Sequence, residues 1–282
     1  MSPFWLILPL AIFVVAFVIA PMILMAGYSF LTNVGAARDV DILTMANWKD
    51  ALGDSYYLYG LWKTVRISGT VAVISAFVGY PAAYFVARTR SRYRSILLFA
   101  FLAPFWISFI IRTFSWVSIL GENGVVNALL YELGWRGEAL KLLYTEFAVL
   151  VGLVHFVLPY MLVNLYVVLE SMDENLVSVA RNLGANSWQA FFQVTFPLSM
   201  PGLLVGLFLS FTLAAGSYVT PAILGGPGDY IFGNQIFDTI MTELNWPLGS
   251  ALSMMLLVLL AAISVAFTRY VGLNTLYKGL AK

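Results

Sequence analysis

Long apolar runs separated by short polar stretches dominate the chain, and the runs at 5–30, 67–87, 96–120, 147–169, 198–224 and 248–271 are long enough to span a membrane. Crossing a hydrocarbon core of about 30 Å takes about 20 helical residues. Each run is expected to be helical, because a backbone in lipid must satisfy its polar groups within the segment. Pro9, Pro21, Pro81, Pro104, Pro159 and Pro221 fall in these runs. Those in run interiors are expected to kink their helices. The pattern therefore predicts an all-α, polytopic membrane protein with six transmembrane helices. The first run has no Lys or Arg before it and is longer than a signal-peptide apolar region. We read it as a retained helix.

Composition strengthens the case. Of 282 residues 61% are hydrophobic and only 10% charged, with a mean hydropathy of +0.88. Soluble domains carry about 25% charged residues, so lipid is the expected solvent. A net charge of +1 argues against a nucleic-acid partner. With no cysteine, disulfides, thiolate catalysis and Cys-ligated zinc are excluded. One histidine and scattered carboxylates form no metal-ligand pattern.

Charge then sets orientation. Arg88, Arg90, Arg92 and Arg94 lie between the second and third runs. The positive-inside rule assigns that loop to the cytoplasm, and six spans put both termini there too. On this assignment the inner side carries 8 basic and 3 acidic residues, the outer side 6 and 11, with Arg112 inside a span.

The cytoplasmic stretch 173–201 has its own pattern. Leu176, Val179, Ala180 and Leu183 recur at helical spacing. Asp173 suits an N-cap and Gly184 the position after the helix, where φ turns positive. Asn186 or Ser187 suits the cap of a second short helix bearing Trp188, Phe191 and Phe192, with Pro197 and Pro201 at the start of the fifth span. Such a knob either lies on the membrane surface or docks into a partner.

Its spacing resembles the signature of permease subunits of binding-protein-dependent, ATP-driven importers. Ala180 stands at that family's second alanine, Gly184 at its glycine, Val194 at its isoleucine and Phe196-Pro197 at its Leu-Pro. Ser178-Val179 replaces the family's Glu-Ala. The segments 104–116, 120–124, 218–227 and 245–253 look like the spermidine/putrescine-type branch. The resemblance, from about Lys63 to Arg269, implies one transmembrane permease domain over 1–282. It has a five-helix core at 60–270, an extra N-terminal helix and a coupling loop at 171–201. It implies ATPase coupling through Asp173, Glu174, Ser178, Ala180, Arg181, Gly184, Ala185, Trp188 and Pro197. It implies a second, similar permease, an ATPase subunit dimer and a periplasmic substrate-binding protein as partners, besides membrane lipid, in a bacterial inner membrane. No Gly-x-x-x-x-Gly-Lys-Ser/Thr sequence occurs, so ATP and Mg are expected on the ATPase, with no cofactor in this chain and no enzymatic activity of its own.

Polar residues inside membrane spans are functional candidates because burying them is costly. Arg112 is read as snorkelling to the outer interface or as part of a gate. His155 and Asn164 are read as forming helix–helix hydrogen bonds or touching substrate. Thr212, Tyr218 and Thr220 are pore-lining candidates. Trp106, Trp116 and Tyr218 offer faces to an organic cation. None of the spans contains Asp or Glu. An ion-gradient-driven secondary transporter is the alternative, set back by the lack of a clear internal repeat and of an intramembrane carboxylate.

Overall fold

In the computed structural model, residues 4–34, 39–89 and 92–271 are described. In chain order they form α1 (Phe4–Val14), α2 (Ala20–Tyr28), strands β1 (Leu31–Asn33) and β2 (Asp39–Leu43), α3 (Ala46–Gly53), α4 (Ser55–Arg88), α5 (Arg94–Leu102), α6 (Phe109–Leu120), α7 (Val125–Glu132), α8 (Glu146–Ser171), α9 (Glu174–Asn182), α10 (Ser187–Ala190), α11 (Phe196–Ala215), α12 (Val219–Leu224), α13 (Phe232–Met241) and α14 (Trp246–Val271). Among the described residues, five helical stretches are long and apolar enough to cross a membrane: Leu8–Tyr28, Ser55–Arg88, Glu146–Ser171, Ser187–Ala215 and Trp246–Arg269. A sixth span results if the bent pair Arg94–Trp106 and Phe109–Glu132 counts as one.

The kink expected at Pro104 is a sharp bend that breaks the third span. The pair turns by 98°. Pro104 stands second in a tight 3₁₀ turn at 103–106, and Ile107 after it is extended. Proline lacks the N–H that would continue the ladder, so the helix stops and restarts on a new axis. The fifth span is also interrupted. α11 ends at Ala215, and Tyr218, Thr220 and Pro221 lie beyond a break, Thr220 and Pro221 within the short α12.

Two prolines are absorbed differently. A π turn at Val15–Ile19 precedes Pro21, and another at Phe191–Thr195 precedes Pro197. In an α-helix each ring would clash with the carbonyl four residues earlier. The wider π turn relieves that contact, so Ser187–Ala215 continues as one helix through Pro197 and Pro201. These prolines therefore do not separate the knob's second helix from the fifth span.

The chain divides into two compact units, 1–63 with 231–262 and 64–230 with 263–282. In the first, β1 and β2 form a small antiparallel ribbon. Asn47 Nδ2 donates to the carbonyls of Ser29 (2.9 Å) and Leu31 (2.8 Å), fastening α3 beside it. Ala51, Tyr57, Phe232, Leu248 and Leu252 form its core. The apolar stretch 8–28 is not buried within the chain.

In the second unit, α4 and α8 run parallel. Arg66 pairs with Glu146 at 2.5 Å near the start of α8, Gly79 lies against Met161, and Ala83 and Ala87 share a core with Leu165 and Leu169. Arg94 closes the other end through Tyr166 (2.7 Å) and Glu170. α11 packs against α8 at Gly202, beside Asn164 and Val168, and at Gly206, beside Met161; both glycines belong to a buried small-residue stripe with Ser199, Ser210 and Ala214. Small side chains let membrane helices approach closely and gain dispersion contact.

Candidate functional site: a capped knob and an aromatic seat

The knob is built by short-range hydrogen bonding. Asp173 caps α9, its side chain accepting from Asn175 N–H at 2.9 Å. At the other end the Gly184 N–H donates to the Arg181 carbonyl (3.0 Å) and the Ala185 N–H to the Ala180 carbonyl (3.1 Å). These paired bonds form the Schellman closure, which needs a left-handed residue after the helix. Gly184 has φ +93°. Asn186 and Gln189 then cap α10 reciprocally, at 2.8 and 2.9 Å. Two orphan N–H groups are satisfied by this box.

The second helix is anchored by aromatic rings. Phe191 meets Tyr80 and Tyr84 edge-on, both with centroids 5.8 Å apart, and Tyr80 OH bonds Ser199 Oγ at 2.7 Å. Offset and edge-to-face ring pairs contribute about 0.5–1.5 kcal/mol beyond area burial. Ala180 and Ala185 are half-buried and Ala190 is buried.

The other face turns outward. Leu183 is 83% and Trp188 73% exposed, with Leu176, Val179 and Phe192 also exposed. Trp188 stacks on Phe192 at 6.0 Å. Ser178, Arg181 and Pro197 are exposed too. The side chain of Glu174 and residues Arg90, Lys278 and Lys282 lie outside the described residues. The stripe is apolar and exposed, as are the sides of the spanning helices.

The intramembrane candidates are brought together only in part. Trp116 Nε1 donates to His155 Nδ1 at 3.0 Å, joining α6 to α8. Arg112, Trp116 and His155 line one narrow cleft with Phe109, Thr113, Gly152 and Phe156. Arg112 Nε is enclosed there with no hydrogen-bond partner among the described residues. Asn164 Nδ2 instead bonds the carbonyl of Tyr160 (2.8 Å) in its own helix. This corrects the expected interhelical bond, because a carbonyl one turn back lies within its short reach. Thr212 likewise bonds Phe208 O at 2.9 Å. Trp106 stacks on Phe99 at 5.3 Å, Tyr218 stands exposed in the break after α11, and Thr220 is buried. Trp106, Asn164, Thr212, Tyr218 and Thr220 are not part of the Arg112 space.

Sequence reasoning missed the α8–α11 seam and the Tyr80–Phe191 contacts. The seam had a readable signal, Gly202-x-x-x-Gly206 in an apolar run. Tyr80 had none, because its partners lie over 100 residues away.

The chain is similar to known proteins. The family model "Binding-protein-dependent transport system inner membrane component" matches residues 77–276. The spermidine/putrescine transport system permease protein PotB of Haemophilus influenzae is 36% identical over 253 residues, covering 90% of this chain and 88% of the relative. The PotB of Escherichia coli is 31% identical over 255 residues, covering 90% and 92%. Among solved structures, a bacterial alginate ABC transporter in complex with an alginate pentasaccharide-bound periplasmic protein aligns with a TM-score of 0.79 at 17% identity, covering 94% of this chain and 92% of that one.

Proposed function

Because this chain belongs to the family of inner membrane components of binding-protein-dependent transport systems, we propose that it forms half of the translocation pathway of an importer for polyamines of the spermidine/putrescine class. The whole chain acts as one permease domain, with 60–270 as its core, paired with a second, similar permease. A periplasmic protein delivers the substrate. A dimeric ATPase carries ATP and Mg, and docks on the segment 171–201 in the cytoplasm, the side that holds both termini.

The observation that carries the coupling reading is the knob's exposed apolar face, Leu176, Val179, Leu183, Trp188 and Phe192, on helices capped at Asp173, Gly184 and Asn186. A chain without a nucleotide-binding loop needs a mechanical contact with its energy source. Closure of the ATPase dimer pushes this knob, and Ser187–Ala215, continuous with it, carries the displacement into the bilayer. The paired bundles then open outward to receive substrate, and hydrolysis resets them. The polyamine reading is supported by the names of relatives at 36% and 31% identity.

Reconstitution tests this. The chain, a second permease, the ATPase and the binding protein together are expected to show spermidine- or putrescine-stimulated ATP hydrolysis and uptake. Gly184→Asp is expected to insert normally yet uncouple hydrolysis from uptake. Uptake by the chain in liposomes with no ATPase would overturn the reading. Binding measurements on the periplasmic protein test the substrate separately.

A further inference from the structure

The knob hangs from two helices. One is Ser187–Ala215, unbroken from the knob into the fifth span. The other is α8, which ends at Ser171, just before the cap Asp173. Met172 between them is extended. Its side chain packs on the core that holds Ala83, Ala87, Leu165 and Leu169, so the link has little slack. A push on the knob therefore reaches the end of α8 as well as α11.

The third span lies along α8. Phe101 of α5 packs on the same core as Met172. Phe105 meets Tyr160 edge-on at 5.0 Å, and past the break Phe109 lies against Phe156 at 4.5 Å. Membrane helices associate through such packing and through interhelical hydrogen bonds, and the bonds have the stricter geometry. Each arm of the bend has one such polar tie. On the α6 arm it is Trp116 to His155. On the α5 arm it is Arg94, the first residue of that helix. Arg94 Nη2 donates to Tyr166 Oη at 2.7 Å and to the Glu170 carboxylate, with the guanidinium carbon 5.7 Å from the Tyr166 ring centre. Tyr166 and Glu170 are four residues apart and so share one face of α8. Glu170 stands three residues before Asp173.

We propose that Arg94 is a positioning residue for transport, a permanent strap that makes α5 follow the end of α8 when the knob is displaced. Without it the knob would move α8 and α11 while the inner arm of the broken third span lagged behind. The planar guanidinium suits this role, because it presents donors in a fixed fork and lies against an aromatic ring, which an ammonium does less well. The proposal rests on the coupling role given to the knob above.

The chain has no cysteine, so spin labels on Ile96→Cys of α5 and Val167→Cys of α8, both exposed positions, report the separation of the two helices. The transporter assembled in nanodiscs is compared at rest and with its ATPase trapped by ATP and vanadate. One narrow distance is expected, unchanged between the two states. Arg94→Gln is expected to broaden it and to lower uptake per ATP hydrolysed several-fold at equal membrane abundance. Arg94→Lys should recover part of both. Glu170→Gln should give a smaller loss, and the double variant should be no worse than Arg94→Gln alone, because the two groups act through one contact. Glu170→Gln keeps the test decisive if Arg94→Gln fails to insert. A distance that changes between the two states would overturn the proposal, because the contact would then be a switch. So would an unchanged distance distribution in Arg94→Gln, or unchanged uptake per ATP once the distance has broadened. Failure of the coupling reading itself would appear in the unsubstituted chain, as uptake with no ATPase present, so the two failures are told apart.

Discussion

At the scale of single residues the knob depends on one backbone conformation. Gly184 has φ +93°, and a Cβ added there meets no atom within 4 Å. The restraint is therefore torsional rather than steric contact with neighbours. A β-branched residue in this region costs about 1–2 kcal/mol, while asparagine tolerates it better. Gly184→Val is accordingly expected to lose more coupled uptake than Gly184→Asn at equal membrane abundance, and equal activities would count against a role for the turn. Asn186→Ala removes a capping bond worth about 0.5–2 kcal/mol. It should increase hydrogen exchange in α10 without changing exchange in α8. These positions were legible in the sequence because a cap is local: Asp173, Gly184 and Asn186 bond within three residues of themselves or close the helix they follow.

At the scale of elements the α8–α11 seam holds the second unit together. A Cβ on Gly202 would stand 2.7 Å from the Asn164 carbonyl oxygen, and one on Gly206 2.6 Å from the Met161 sulfur. The two clashes differ in kind. Met161 is a flexible thioether that can turn away, whereas the Asn164 carbonyl is fixed in a helix. Gly202→Ala is expected to lower the thermal midpoint of the purified protein clearly more than Gly206→Ala, and the reverse order would refute a backbone-limited approach. The apolar runs predicted these helices, but hydropathy did not reveal their breaks. Pro104 ends a helix while Pro197 is absorbed by a π turn. The outcome depends on whether neighbouring turns can widen, and a proline in isolation does not say.

At the scale of the whole molecule, orientation is the property most open to direct test. The chain has no cysteine, so single substitutions report without background. Asn175→Cys in α9 and Glu138→Cys in the loop before α8 are both at exposed positions. An impermeant thiol reagent is expected to reach position 138 from the periplasm and position 175 only from the cytoplasm. Reaction of both from one side would refute the arrangement that gives an ATPase access to the knob.

What the sequence determined by itself follows from the solvent and from near neighbours. Lipid demands long apolar helices, so their presence along the chain was written in hydropathy, and the caps of the knob in residues a few positions apart. Tertiary structure alone decided the 98° turn of the third span, the parting of Tyr218 and Thr220 from α11, and the bond between Trp116 and His155. The physical reason is that every side of a membrane helix is apolar, so periodicity does not distinguish lipid from a neighbouring helix. Only contacts between residues distant in the chain make that choice.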